Sequence, residues 1–143
     1  MIGLRLHHIG IVVADIAATS ADYVRRMGYV VCSEVIHDPV QTAHVQFLRL
    51  RGDQTLLELV SPDGPRSALS NALRKGGGLN HLCYETSDMD ATISSLWGQG
   101  LRVIRPPVPA VAFGGQRIAW LMGHDRVLIE LVELKSNGAR QEL

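Results

Sequence analysis

The pattern of apolar and polar positions changes period along the chain, and it does so twice in the same order. A run rich in β-branched residues at Leu6–Val13 predicts a strand. Behind it Asp15 stands where an N-cap belongs, and Ile16, Tyr23, Val24 and Met27 recur at helical spacing before Gly28 stops the helix. Strands are then predicted at Tyr29–Ile36, Thr42–Leu50 and Thr55–Val60, the last two joined by a turn at Arg51-Gly52-Asp53. From His81 the order repeats. Asp88 caps a helix with Met89, Ile93, Leu96 and Trp97 inward, and Gly100 ends it. Strands near Leu101–Ile104, Gln116–Met122 and Val127–Glu133 follow, with Gly123-His124-Asp125 as the hairpin turn.

The repetition extends to residue identity. His8-Ile9-Gly10-Ile11-Val12-Val13-Ala14-Asp15-Ile16 aligns with His81-Leu82-Cys83-Tyr84-Glu85-Thr86-Ser87-Asp88-Met89. Gly28-Tyr29-Val30-Val31 aligns with Gly100-Leu101-Arg102-Val103, and Leu56-Leu57-Glu58-Leu59-Val60 with Leu128-Ile129-Glu130-Leu131-Val132. The offset is 72 or 73 residues each time, so the chain reads as two copies of one β-α-β-β-β module. The first module covers residues 1–62 and the second 78–143, within one structural domain. The connector at 63–77 opens with a loop and carries a short helix from Pro65 or Arg66 to Lys75, with Ala68, Leu69, Ala72 and Leu73 inward, before Gly76-Gly77-Gly78 breaks it. Arg105-Pro106-Pro107-Val108-Pro109 is excluded from a central strand and expected as a loop rimming a pocket. The polar residues Lys135 to Leu143 are expected to fray.

Composition narrows the class. Lys+Arg and Asp+Glu number 14 each, which removes the basic excess of a nucleic-acid binder. No apolar run is long enough to span a bilayer, and the first residues lack a signal peptide's pattern, so a cytoplasmic protein is expected. Cys32 and Cys83 are too few for a disulfide scaffold and are both expected in the core.

The informative polar residues are those that recur inside apolar strands. Glu58 and Glu130 are each flanked by two apolar residues on both sides, a costly place for a carboxylate unless it is paired or binds a cation. His8 and His81 stand at corresponding places on their strands. One such residue alone reads as a rim or core side chain. With the modules packed about a pseudo-two-fold axis, two imidazoles and two carboxylates converge. That donor set, with no thiolate, suits an octahedral divalent ion such as Co²⁺, Ni²⁺, Mn²⁺, Fe²⁺ or Zn²⁺, leaving two positions for water or substrate oxygens.

On these segments, and on Gly77-Gly78-Leu79-Asn80-His81-Leu82-Cys83 and Leu57-Glu58-Leu59-Val60-Ser61-Pro62, the chain resembles the vicinal oxygen chelate superfamily, and within it the methylmalonyl-CoA epimerases. The resemblance implies an α+β fold: two βαβββ modules forming an incomplete eight-stranded barrel around a metal cleft, helices outside. It maps the metal ligands onto His8, Glu58, His81 and Glu130, with one divalent ion per chain, and makes Glu130 a candidate acid/base as well. The implied activity is chelation of two oxygens of a 2-substituted acyl-CoA, with enolate formation and inversion at the α-carbon. Homodimers are common among such proteins, so a homodimer is expected.

The sequence departs from the epimerases in its substrate apparatus. Several of them carry a second catalytic glutamate in the strand that reads Thr42-Ala43-His44-Val45-Gln46-Phe47 here; the alignment puts Val45 there, and a shift of one would offer His44 or Gln46. A His-Pro-Lys-like segment is replaced by Met122-Gly123-His124-Asp125. Arg66, Arg74 and Lys75 on the connector are candidates for an anionic substrate or simply a solvated face, and Phe113-Gly114-Gly115 for a pocket flap or a flexible turn. The alternatives are a glyoxalase I-like lactoylglutathione lyase and a metal-free binding or resistance protein of the same fold. A fourth ligand at Glu58 argues against dioxygenation and against fosfomycin-type enzymes, and the intact ligand quartet argues against the metal-free module.

Overall fold

A computed structural model describes residues Gly3–Leu134; the expected frayed tail, Lys135 to Leu143, lies outside the described residues. The described chain carries β1 (Arg5–Val12), α1 (Ile16–Met27), β2 (Val30–Val31), β3 (Ile36–Asp38), β4 (Ala43–Arg49), β5 (Leu56–Pro62), α2 (Ser70–Arg74), β6 (Gly78–Thr86), α3 (Met89–Trp97), β7 (Arg102–Pro109), a 3-10 turn at Val111–Phe113, β8 (Arg117–Met122) and β9 (Leu128–Glu133). It is a mixed α+β fold whose strands do not close into a barrel. No helix among the described residues is long and apolar enough to cross a membrane. The chain divides into two compact units, one of residues His8–Asn80 and one joining the segment up to His7 to the residues from His81 onward.

In the unit His8–Asn80 the strand order is β2-β4-β5-β1, with β3 also pairing β4. β1 and β5 are parallel, with Gly10 opposite Glu58, and β4 is antiparallel to β5, with Phe47 opposite Glu58. One sheet face packs on α1 through Ile16, Leu48, Leu57 and Leu59, joined by Ile11, Val13, Tyr23 and Tyr29. The other face therefore carries His8, Glu58, Val45 and Phe47. Asp15 caps α1, accepting from the Ala18 N–H at 3.1 Å, and Gly28 ends it in the left-handed conformation at φ 76°.

The second unit repeats this plan with order β6-β9-β8-β7. β6 and β9 are parallel, with Cys83 opposite Glu130, and β8 is antiparallel to β9, with Trp120 opposite Glu130. Its helix-side core is Met89, Ala119, Leu121 and Leu131, with Tyr84, Ile93, Leu96, Leu101 and Ile129. Asp88 caps α3, accepting from the Ala91 N–H at 3.0 Å.

Five expectations are corrected. Among the described residues nine strands replace eight, because the run Tyr29–Ile36 splits into β2 and β3. The Ser33 hydroxyl accepts from the Phe47 N–H at 3.0 Å and the Gln46 side chain donates to the Ser33 carbonyl, so side chains interrupt the main-chain ladder between the two strands. The Pro-rich stretch is strand, not loop: β7 pairs only with β8 in its unit, and its register shifts between Val103 and Arg105 and again between Arg105 and Val108. An outer strand with bulges tolerates prolines that a central one does not. The connector helix is five residues long, with Ala68 exposed ahead of it and Leu69, Ala72 and Leu73 half-buried. Finally, Val24, Met27 and Trp97 are exposed, Trp97 at 69%, since each helix buries only a narrow stripe, and Cys32 is half-buried rather than core.

The start of α3 is tied to β9 by a carboxylate. Glu133 accepts from Arg117 Nε at 2.9 Å and Nη2 at 3.0 Å, and from the Met89 N–H at 2.8 Å. The Arg117 hydrogen bonds hold the Glu133 carboxyl below its ordinary range against the opposing effect of burial. A depressed carboxylate contributes stability above its unfolded pKa of about 4.3 and loses it as pH falls through the folded value. Glu133→Gln is therefore expected to lower stability by about 1–2 kcal/mol near pH 7. The gap to the parent protein should close below about pH 4, which urea unfolding across pH 3–8 measures. A gap unchanged at pH 3 would remove the charge from the explanation.

Candidate metal centre

Each unit places one histidine and one glutamate face to face. In the first, His8 on β1 lies two residues before Gly10, whose strand partner is Glu58, so His8 and Glu58 share a sheet face. His8 Nε2 is 3.3 Å from Glu58 Oε1. In the second, His81 on β6 lies two residues before Cys83, whose partner is Glu130, and His81 Nε2 is 3.4 Å from Glu130 Oε1. The register, the atoms and the separation are all repeated. His8, Glu58, His81 and Glu130 are exposed by only 0, 4, 3 and 3%.

These distances say what the pairs are suited to. A charge-assisted hydrogen bond would draw nitrogen and oxygen to about 2.7–2.9 Å. Two ligands each about 2.0–2.2 Å from a shared divalent ion stand about 2.8–3.1 Å apart at octahedral angles and about 3.3–3.6 Å apart at tetrahedral ones. The observed 3.3 and 3.4 Å match the second arrangement. Buried imidazole and carboxylate are the donors that suit Co²⁺, Ni²⁺, Mn²⁺, Fe²⁺ and Zn²⁺, so the residues fit the group. Each unit thus offers one imidazole and one carboxylate as candidate metal ligands.

Two aromatic residues complete the repeat, and neither stood out in the sequence. Phe47 lies opposite Glu58 and meets the His8 ring edge-on, with centroids 5.5 Å apart and planes at 73°. Trp120 lies opposite Glu130 and meets His81 in the same way, at 4.8 Å and 86°. The signal was available: Phe47 and Trp120 are separated by 73 residues, the same offset as the histidines.

The other candidates divide by sheet face. Val45, two residues from Phe47, is buried on the His8 side; its neighbours His44 and Gln46 point to the opposite face. There His44 stacks on His37 with ring centroids 4.7 Å apart, and Gln46 bonds to Ser33, so neither takes the place of a missing carboxylate. Asp38 shares the face of Val45 through its partner Ala43, yet its Oδ1 accepts from the N–H groups of Val40 and Gln41 and holds the turn. Phe113-Gly114-Gly115 is a tight hydrogen-bonded turn rather than a flap: Phe113 is buried and meets the His7 ring edge-on at 5.5 Å. His124 and Asp125 form the turn between β8 and β9, where Asp125 accepts from the Val127 N–H at 3.1 Å. Arg66, Arg74 and Lys75 are exposed. Arg74 lines a cavity of about 350 Å³ with Ala14, Pro62, Gly64, Pro65, Ser70 and Leu73.

Each copy of the duplicated module buries one histidine and one glutamate on the sheet face away from its helix. The chain belongs to the Glyoxalase/Bleomycin resistance protein/Dioxygenase superfamily, whose pattern matches residues 7–120. Within it the chain is an epimerase-like enzyme. It is 33% identical to the ethylmalonyl-CoA/methylmalonyl-CoA epimerase of Cereibacter sphaeroides, over 94% of this chain and 100% of that one. Among solved structures, methylmalonyl-CoA epimerase from Mycobacterium tuberculosis is similar at 30% identity and TM-score 0.76, covering 90% of this chain and 86% of that one. A substituted Streptomyces coelicolor methylmalonyl-CoA epimerase in complex with 2-nitronate-propionyl-CoA is similar at 29% identity and TM-score 0.74, covering 90% of this chain and 96% of that one.

Proposed function

We propose that the chain is a divalent-metal-dependent epimerase of a 2-substituted acyl-CoA such as methylmalonyl-CoA, with His8, Glu58, His81 and Glu130 holding one ion. The observation that carries the reading is the repeated histidine–glutamate pair, buried in each unit at the separation of two ligands on one ion. Its support on the substrate side is the similarity to epimerases acting on ethylmalonyl-CoA and methylmalonyl-CoA.

Bound there, a Co²⁺, Ni²⁺, Mn²⁺, Fe²⁺ or Zn²⁺ ion supplies Lewis acidity, which lowers the cost of forming an enolate from a thioester. The protein's own part is to orient the donors and to exclude water. It also moves a proton: of the two equivalent carboxylates, the resemblance to the epimerases assigns to Glu130 the taking and return of the α-proton. Burial of the four side chains keeps bulk water from competing for the carbanion, and the strand backbones fix the donors before the substrate arrives. A cytoplasmic homodimer belongs to the same proposal.

The test begins with metal content. Protein stripped with chelator and titrated with each of the five ions is expected to retain close to one ion per chain, and His81→Ala is expected to lose it. Deuterium from solvent should then enter methylmalonyl-CoA at its α-carbon only with the loaded protein. Binding of no ion would sink the metal-dependent reading. One bound ion without exchange into any 2-substituted acyl-CoA would keep the site and remove the substrate.

A further inference from the structure

We propose that Phe47 and Trp120 are positioning residues for the ligand histidines: a duplicated aromatic brace that fixes the plane of each imidazole so that its Nε2 is aimed at the ion. The inference rests on the metal reading above and adds residues that take no part in coordination.

Strand register brings these groups together. In each unit three neighbouring strands present one residue apiece to a common spot: histidine from the first strand, glutamate from the parallel strand beside it, and an aromatic from the next, antiparallel strand directly opposite the glutamate. The aromatic is thus held by the same backbone ladder that holds the carboxylate. Its ring meets the imidazole nearly at right angles, at 73° for Phe47 on His8 and 86° for Trp120 on His81.

That geometry matters to a ligand because the Nε2 lone pair lies in the imidazole plane. Rotation about the Cβ–Cγ bond swings the lone pair off the ion, and the terminal torsion of histidine is intrinsically broad. A ring packed nearly at right angles against the imidazole narrows that torsion before any ion binds. Neighbours that orient ligating histidines commonly do so by hydrogen bonds, and losing them typically costs 10–100-fold in metal affinity. An aromatic beside each ligand histidine adds its own steric constraint on ring orientation in both copies. The two differ in one respect: Phe47 is fully buried, whereas Trp120 is only half-buried. Trp120 is therefore the better subject for substitution, since its loss leaves less of the core unfilled.

The experiment compares Trp120→Leu, Trp120→Phe and Phe47→Leu with the parent protein. It measures Co²⁺ affinity by competition with a chromophoric chelator, the visible d–d spectrum of the Co²⁺ form, and thermal unfolding of metal-free protein. Both leucine variants are expected to bind Co²⁺ about 10–100-fold more weakly and to change the d–d band, while Trp120→Phe stays within about threefold of the parent. Wild-type affinity and spectrum in Trp120→Leu would overturn the proposal, as would a loss in affinity that only tracks a loss in metal-free stability. If the parent protein itself bound no Co²⁺, the metal reading would fall and this inference with it. Parent binding with an indifferent Trp120→Leu would remove the brace alone.

Discussion

Glu130→Gln is expected to slow α-proton exchange of a 2-substituted acyl-CoA by about 10²–10⁴-fold, the range that removal of a positioned general acid or base produces. Glutamine keeps the size of the side chain and one acceptor oxygen, so the strand packing around Leu131 and Val132 is preserved and the change is confined to charge and proton capacity. Glu130 carries two roles in the proposed function, and the variant separates them. If it were a ligand only, the variant would bind the ion more weakly, and exchange would return once the ion was raised to saturation. If it also carries the proton, exchange stays low at saturating ion. Glu58→Gln is the internal comparison. The repeat gives Glu58 the same contact with its histidine as Glu130, at 3.3 and 3.4 Å respectively, so loss of a ligand charge should weigh about equally on both. A deficit that persists at saturation in Glu130→Gln and vanishes in Glu58→Gln assigns the proton to Glu130. Equal recovery in both would leave the pair as ligands and nothing more.

The half of the site that was legible in the sequence is the half that breaks a rule of burial. A glutamate in Leu-Leu-Glu-Leu-Val contradicts its surroundings, and its recurrence in Leu-Ile-Glu-Leu-Val marks the contradiction as maintained. Phe47 and Trp120 obey the rule: an aromatic in an apolar strand reads as core, and only the strand register shows it opposite a glutamate and against a histidine. The same logic covers the fold. Caps at Asp15 and Asp88 were legible because they are local chemistry, one side chain meeting one N–H three residues on. The Pro-rich β7 was not, because proline excludes a segment from the middle of a sheet and is silent on an outer strand. Helical spacing located the inward stripe of α1 at buried Ile16 and half-buried Tyr23 but not its edges. Val24 and Met27 belong to the periodic pattern and still face solvent, since the width of the stripe depends on how much sheet lies beneath it.

Gly77→Ala is expected to destabilise the protein by about 2–4 kcal/mol, combining a left-handed backbone penalty of about 1–2 kcal/mol with a steric term of similar size. Gly77 has φ 69°, and its N–H closes the connector helix onto the Ala72 carbonyl at 3.0 Å. A Cβ there would stand 2.6 Å from the carbonyl oxygen of Val12. That oxygen is main chain at the end of β1, the strand that carries His8, so relief requires moving the strand or lifting the connector from it. Gly28→Ala isolates the two terms. Gly28 has a similar φ of 76°, but nothing lies within 4 Å of its added Cβ, so it should cost only the backbone penalty. Thermal unfolding of metal-free protein is expected to place Gly77→Ala several degrees below Gly28→Ala, at about 2–4 °C for each kcal/mol in a domain of this size. Equal midpoints would mean that the connector yields without strain and that its approach to Val12 does not constrain β1. A lower midpoint for Gly77→Ala, accompanied by weaker Co²⁺ binding, would show that the packing of this glycine on β1 helps to hold His8 in place.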